Sequence, residues 1–220
     1  MNSALTNDRD NSTQPDANFP PRHAGRPWLR IGCLAWLCFA ALSAQAGFDI
    51  FMRIGGQAAP MNTTQSAPLV PGTSADPQYP NWMPVFSFSH GVSLSVYGTN
   101  VDSKSDHQNV AMQRALDIAS PSLNLLVNGN ATGLPVSLPI DYVTIDLRTT
   151  GGSNVFYRVE LQKVYLTSVQ LSGSAGGDAA PTESVTLTYQ QIRWTYVPFT
   201  NGKAGTAVTK GWDTIKNMPF

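Results

Sequence analysis

From residue 48 onward, apolar and polar side chains alternate along most of the chain, which is the spacing of β-strands with one buried and one solvated face. This period predicts strand regions at 48–54, 85–97, 109–118, 143–147, 155–171 and 181–196. The residues of 109–118 are also compatible with a helix. Apart from that region, the pattern predicts a chain made mainly of strands joined by turns.

One short α-helix is predicted after the third strand region. Ser120 is expected to cap its N-terminus and Pro121 to occupy its first helical position. Leu123, Leu126 and Val127 fall on one side of such a helix, and Gly129 is expected to end it. The predicted fold class is therefore mainly β with one short α-helix.

The alternation changes parity inside two of the strand regions. In 181–196 the apolar residues are at odd positions up to Tyr189 and at even positions from Ile192, so one residue must be absorbed near Gln190 by a bulge or sharp bend. In 155–171 the parity changes twice, which predicts a long strand that bends or two strands that switch sheets. Bent strands of this kind curl a sheet towards a barrel.

Two segments lack the alternation. The first, 57–84, contains six prolines among Ser, Thr, Gln and Ala, and is predicted to be an irregular surface loop rather than a packed element. The second, 98–107, is polar and is predicted to project outward as a loop or the tip of a β-ribbon.

The first 46 residues are predicted to be separate from the folded domain at 47–220. A polar, disordered leader with Arg22, Arg26 and Arg30 precedes a run of apolar residues at 31–42, and Ala44-Gln45-Ala46 follows. This is the layout of a secretory signal peptide cleaved after Ala46. The run is too short for a membrane-spanning helix, which needs roughly 20 apolar residues. An uncleaved interfacial anchor and a misplaced start codon are the alternatives.

Composition excludes several functional classes. Charged residues make up 13% of the chain and the formal net charge is zero, so neither a basic nucleic-acid footprint nor an acidic solvating tail is present. The glutamates are Glu160 and Glu183 alone. The cysteines, Cys33 and Cys38, both lie in the apolar run, so cleavage would leave a domain without disulfides or thiolate metal ligands.

The sequence offers no clear catalytic or metal site. Nucleophile-elbow, Ser-x-x-Lys, dinucleotide-binding and phosphate-loop motifs are all missing. His90 shares the apolar parity of its strand, which favours a buried or half-buried structural histidine over a catalytic base. His107 lies near Asp102 and Asp106, but a metal site there lacks a third ligand at suitable spacing. We therefore expect no enzyme activity, no cofactor and no metal.

The remaining candidates are carboxylates and aromatics. Asp141 and Asp146 fall on opposite faces of one strand and cannot act as a pair. Glu183 is expected to contact backbone N–H groups at a turn or strand end. An aromatic set could form a stacking surface, although core filling and subunit contact explain it more simply: Trp82, Tyr189, Trp194, Tyr196 and Trp212.

The run 181–196, PTESVTLTYQQIRWTY, closely resembles the C-terminal signature of the Hcp family, the haemolysin-coregulated proteins that form the tube of the bacterial type VI secretion system. The likeness extends to 47–52, 86–92, 119–121 and the Lys-Gly-Trp-Asp at 210–213, although the family commonly has Trp at the position of His90. The family signature is carried here by Pro181, Thr182, Glu183, Ser184, Trp194, Tyr196 and Trp212.

The resemblance implies a two-sheet β-barrel with one helix that is structural rather than enzymatic. It also implies a homohexameric ring, stacking of rings into a tube, and a lumen that carries effectors, with the spike and sheath proteins as further partners. Segment 97–107 resembles the family's extended loop, so Asp102, Lys104 and Asp106 are candidate ring-stacking residues.

The resemblance and the leader imply different locations. Family members assemble in the cytoplasm and leave through the type VI apparatus, which implies a secreted protein. The signal-like segment 31–46 makes the periplasm the alternative, and the matching alternative function is an exported Hcp-like binding module outside the tube. A secreted hydrolase is a third hypothesis, for which no catalytic triad is apparent. The Pro-rich segment 57–84 replaces a shorter, more acidic segment of the family.

Overall fold

The computed structural model describes residues 47–101, 104–176 and 180–220. The predicted leader and signal segment, and Asp102, lie outside these residues. The elements in chain order are β1 (Phe48–Ile54), β2 (Met83–Val85), β3 (Ser87–Ser89), β4 (Val92–Ser93), β5 (Val96–Tyr97), β6 (Asn100–Val101), β7 (Asp106–His107), β8 (Val110–Ala115), α1 (Ser120–Val127), β9 (Ile140–Thr149), β10 (Val155–Ser172), β11 (Thr182–Thr188), β12 (Gln191–Tyr196), β13 (Phe199–Thr200), β14 (Lys203–Ala204), β15 (Val208–Asp213) and β16 (Met218–Pro219). The prediction of a mainly β fold with one short helix is confirmed.

Ten of the strands form two antiparallel sheets that share β10. The first sheet has the order β2-β1-β9-β10-β12-β15-β16 and uses the first part of β10. The second has the order β10-β11-β8-β3 and uses its last part. A closed two-sheet barrel is not confirmed, because no ladder among the described strands joins the edges β2, β16 and β3.

The shared strand β10 explains the parity changes in the sequence. Its register against β11 shifts between Leu166 and Ser168, and Lys163 adopts a left-handed backbone with φ of 54°. Opposite it, β11 ends at Thr188 and β12 begins at Gln191, so the predicted bend near Gln190 is confirmed. For 155–171 the structure has the first alternative, one long strand that bends. The bend also produces the change of sheet that the second alternative assigned to two strands.

The main core lies between the inner faces of the two sheets and the helix. Val143, Ile145 and Leu147 of β9 point into it, as the alternation predicts, and so do Val185 and Leu187 of β11. The apolar series of the third region stops earlier than predicted, because β8 ends at Ala115 and leaves Leu116 and Ile118 exposed.

Helix α1 packs on β10 through Leu123 and Leu126, which are fully buried as predicted. Gly129, with φ of 70°, follows its C-terminus and ends it in the left-handed conformation that glycine tolerates. The predicted N-cap is wrong, since Ala119 occupies that position, Ser120 is the first helical residue and Pro121 the second. The Ser120 hydroxyl donates to Glu183 Oε1 at 3.0 Å.

The prediction for 57–84 is wrong in one respect, because this irregular segment is packed. Val70, Tyr79 and Trp82 are buried, and the Tyr79 ring stacks on Phe51 of β1 at 4.4 Å between centroids. The segment covers the polar face of the first sheet, so β1 is buried on both faces from Ile50 to Ile54. We call residues 57–82 the covering loop.

A buried ion pair of the first sheet forms hydrogen bonds with the covering loop. Arg158 of β10 donates to both carboxylate oxygens of Asp146 on β9, at 2.6 and 2.7 Å. Its Nη1 also donates to Ala59 O of the covering loop, at 2.7 Å. The Tyr79 hydroxyl donates to Asp146 at 3.1 Å. Burial and the charge of Asp146 raise the pKa of Tyr79, so its hydroxyl stays protonated.

The predicted strand at 85–97 is wrong in extent. It is divided into four short pieces, and side chains assigned to its buried parity are exposed, including Phe86, Val92, Leu94 and Val96. The last two pieces leave the sheets and fold back as a ribbon, in which β4 pairs with β7 and β5 with β6. The predicted ribbon tip at 98–107 is thus confirmed.

Candidate assembly surface

The ribbon from Gly91 to Gln108, which we call the arm, carries several exposed apolar side chains. Its ends are joined by the Gln108 amide, which donates to Gly91 O at 2.9 Å. Val92, Leu94 and Val96 are about half exposed or more, and Tyr97 is 76% exposed. Clustered apolar side chains without cover are typical of surfaces that contact another protein.

Of the candidate stacking residues, Asp106 lies on the return strand β7 of the arm and Lys104 lies two residues before it. Lys104 and Asp106 are both exposed, while Asp102 is outside the described residues. Lys104 and Asp106 line one side of an open cavity of about 300 Å³, and Tyr189 and Ile215 line the other. The cavity lies at the junction between the arm and the sheets.

Aromatic side chains form the base of the arm. His90 and His107 lie on its two sides, and their ring centroids are 6.3 Å apart. Tyr189, at the bend between β11 and β12, lies within hydrogen-bond distance of His90 Nε2 at 2.5 Å. The His107 ring is roughly parallel to the indoles of Trp194 and Trp212, with a centroid separation of 6.3 Å from each. His90 is half-buried, as its position in the apolar parity predicts.

The start of the signature run carries a buried ionic cluster. Glu183 Oε1 accepts hydrogen bonds from Arg114 Nη1 at 2.8 Å and from the Ser120 hydroxyl at 3.0 Å. Arg114 also pairs with Asp117, and the side chains of all three charged residues are at most 5% exposed. The predicted contact of Glu183 with backbone N–H groups is therefore wrong. Its actual partners link β11 to β8 and to the first turn of α1.

Sequence reasoning missed Arg114 and Asp117, although one signal was present. Arg114 falls on the same parity as the buried Val110 and Met112, and Glu183 on the same parity as Val185. Glu183 and Arg114 are direct cross-strand neighbours in the β11–β8 ladder. Opposite charges at buried-parity positions of two strands are the pattern of a buried pair.

The other signature residues have different environments. Pro181 is exposed, Thr182 and Ser184 are half-buried in β11, and Trp194 packs against the main core. Tyr196 is exposed at the end of β12, opposite Val208 of β15. Trp82 belongs to a different buried cluster, the one under the covering loop.

The aromatics therefore do not form the single stacking surface considered from the sequence. Asp141 and Asp146 are separated as expected: Asp141 makes an exposed ion pair with Lys163, whereas Asp146 is buried with Arg158. No three metal-ligating side chains meet within the described part of the chain.

A second exposed region follows the edge between β1 and β2. A groove of about 370 Å³ is lined by Phe48, Ile50, Pro84, Val85 and Phe86, and the rings of Phe48 and Phe86 are 55% and 61% exposed. The strand β2 has only three residues and pairs only with β1 among the described strands. The two exposed rings make this part of the first sheet apolar at its surface. No described helix has the length and apolar character needed to cross a membrane.

Comparison with known proteins gives one consistent result. The sequence model for the type VI secretion system effector Hcp matches residues 51–196. Comparison with curated protein sequences gives no significant match. Among solved structures, a type six secretion system protein superposes with a TM-score of 0.65 at 24% identity, covering 79% of this chain and 100% of that protein.

Two further structures show the same fold. Hcp1 from Salmonella typhimurium superposes with a TM-score of 0.60 at 21% identity, covering 79% of this chain and 99% of its own. A type VI secretion system effector from Yersinia pestis gives a TM-score of 0.54 at 18% identity, covering 75% and 99%. The sequence match spans the arm, the ionic cluster and the whole signature run 181–196, and the chain accordingly belongs to the Hcp family of type VI secretion system proteins.

Proposed function

We propose that the chain is a structural subunit of the type VI secretion inner tube, in which six copies form a ring, rings stack through the arm, and the lumen carries effectors. The match of residues 51–196 to the Hcp family carries this proposal. The two joined sheets serve as the wall of a barrel-like subunit. No catalytic group is assigned, because the role requires self-association and not chemistry.

Open strand edges support association between copies. The described ladders end at β2, β16 and β3, and the edge of an antiparallel sheet carries backbone groups that can pair with another chain. In a closed ring every copy covers the edge of its neighbour, so none is left to pair without limit. The open groove beside Phe48 and Phe86 would be covered by the same contact.

Ring formation is the direct test. We expect electron microscopy of a purified chain beginning at Gly47 to show particles with six-fold symmetry. Sedimentation velocity is expected to give a species about six times the subunit mass that persists on dilution, since ring closure removes the exposed edges. A chain that remains monomeric at high concentration contradicts the proposal and favours the exported binding module.

Stacking is assigned to the arm. Its exposed apolar side chains and the charges of Lys104 and Asp106 are available for contact with a second ring. Charge reversal at Asp102, Lys104 and Asp106 together is expected to leave rings intact and abolish stacks, because like charges then face the neighbouring ring. Rings and stacks are counted in negative-stain images.

The matched control keeps every charge. The variant with Asp102→Glu, Lys104→Arg and Asp106→Glu is expected to stack as the unchanged chain does. Stacks that persist after charge reversal contradict the assignment of these residues to the contact, while leaving the ring itself untouched.

The predicted signal segment distinguishes the tube from the periplasmic alternative. If the tube is the site of action, the protein is expected to remain in the cytoplasm until the type VI apparatus is active. N-terminal sequencing of the cellular protein checks this, together with fractionation. A periplasmic protein that begins at Gly47 would support the alternative, because a subunit exported by the general pathway cannot reach a cytoplasmic baseplate.

A further inference from the structure

Two histidines at the base of the arm converge on one hydroxyl group. Tyr189 Oη lies 2.5 Å from His90 Nε2 and 3.4 Å from His107 Nδ1. His90 precedes the outgoing strand of the arm and His107 belongs to its return strand β7. The two strands of the arm are therefore attached to the sheets at the same point.

Below the histidines, the indoles of Trp194 and Trp212 continue into the main core. His90 is 6.2 Å from the Trp194 ring, and both indoles pack against the buried residues of the main core. The imidazoles of His90 and His107, at the base of the arm, therefore contact the aromatic side chains of the first sheet. Beyond this base, the described strands of the arm pair only with each other.

The charged groups around this cluster offer little compensation for added positive charge. Asp106 is the neighbouring carboxylate on the arm, and it is exposed. Lys104, also on the arm, lines the same cavity as His107. From the sheet, Lys210 is the cross-strand partner of Trp194 and shares its face, whereas Asp213 accepts hydrogen bonds from Gln191 and from the amides of Ile215 and Lys216. Tyr189 contributes a neutral hydroxyl.

We propose that His90 and His107 form a pH-sensitive latch, which holds the arm against the sheets at neutral pH and releases it when both imidazoles are protonated. Protonation would place two cations 6.3 Å apart, which is less than the Debye length of about 8 Å at physiological ionic strength. Solvent ions therefore screen their repulsion only in part. Release of the arm moves both groups into water and apart.

The direction of the response follows from the environment of the two groups. Burial, followed by the charge of His107, lowers the pKa of His90, and burial lowers the pKa of His107 although Asp106 acts in the opposite direction. In the released arm both pKa values return towards about 6.5. The neutral forms favour the closed arm, so closure is fully retained above that pH and weakens as the pH falls below it.

Attraction between an imidazolium and the indole faces opposes release, but it is weak here. Such contacts are significant within about 6 Å of the ring centroid. The separations of 6.2 and 6.3 Å lie just beyond that distance. Burial, which lowers the pKa of both imidazoles, sets the direction of the response.

Hydrogen exchange of the full chain tests the latch, measured at pH 7.5 and 5.0 in the presence of EDTA and corrected for intrinsic rates. Arm amides, including that of Gln108, are expected to exchange faster at pH 5.0, because a two-stranded ribbon without support from the sheets is at best marginally stable in water. The acceleration is up to about tenfold for each unit by which closure lowers one imidazole pKa. Amides of the β9–β10 ladder serve as the reference and should not change.

The variant with His90→Gln and His107→Gln keeps polar groups near Tyr189 but cannot titrate. Its arm is expected to exchange at the same corrected rate at both pH values. An equal acceleration in this variant overturns the proposal and assigns the effect to carboxylates or to dissociation of an assembly. Unchanged arm exchange in the original chain overturns it as well.

A second measurement does not depend on the folding of a variant. Imidazole proton resonances of the original chain are expected to titrate with midpoints below 6.5 for His90 and His107. Midpoints at or above that value overturn the latch. Because these readouts concern the arm of the subunit itself, their failure leaves the proposed role in the tube standing.

Discussion

Replacing Arg114 with methionine is expected to lower the free energy of unfolding by about 3–5 kcal/mol, because it removes the only cation from a buried cluster and keeps both carboxylates. Glu183 and Asp117 would then stay buried without the cation that both contact. Chemical denaturation measures the loss as a lower midpoint with an unchanged slope. A loss no larger than that of a surface substitution would mean that the cluster is hydrated in solution.

Two related variants separate charge from packing. Glu183→Gln leaves Arg114 paired with Asp117 and retains an acceptor for the Ser120 hydroxyl, so its cost is expected to be smaller, about 1–3 kcal/mol. Asp141→Asn removes the carboxylate of an exposed pair with Lys163 and is expected to change the unfolding midpoint by no measurable amount. The order of the three variants tests whether burial determines the effect.

Replacing Trp82 with alanine is expected to cost about 3–5 kcal/mol, the range for loss of a buried large aromatic side chain. The Trp82 ring is fully buried 5.0 Å from the Tyr79 ring, and its indole N–H donates to Ser66 O at 3.0 Å. Its loss would leave a cavity and detach the covering loop from β1. Calorimetry and limited proteolysis within 57–82 measure the two consequences.

The control for Trp82 is Phe86→Ala, an aromatic four residues further along the chain. Phe86 is 61% exposed, so the stability of the isolated subunit is expected to stay the same. If Trp82→Ala is equally harmless and the loop stays resistant to protease, the loop is not a packed part of the subunit. The proposal for the tube does not depend on either result.

The alternation of apolar and polar residues was sufficient to predict which face of a strand points into the main core. In β11 the buried residues follow the alternation, in β9 the residues that it selects point into the main core, and the parity change near Gln190 marks a real bend. In the same way, Gly129 ends α1 because a left-handed residue is needed there. These features depend on neighbours in sequence, and a sequence pattern reports them directly.

The errors occur where a distant segment changes the surroundings of a strand. The polar face of the first sheet looks solvated in the sequence, but the covering loop buries Asp146 and Arg158 together on it. The apolar residues of 92–97 look buried, but no described segment covers the arm. Alternation separates the two faces of a strand without saying what lies against either face.

The candidate site shows the same division. The signature run predicted the family, and the family match over 51–196 agrees with it. The sequence did not predict that Glu183 meets Arg114 and Ser120, or that His90 and His107 meet at Tyr189. Each of these contacts joins residues that are far apart in the chain.

The sequence alone determined the β period, the single helix and the family of this protein, because these depend on residue types at short, fixed spacings. The tertiary structure decided which charges are buried, which apolar residues stay exposed on the arm, and which side chains surround the two histidines. Those properties depend on the register of strands and on the path of the loop over the sheet. Both are set by packing between segments that local pattern does not relate.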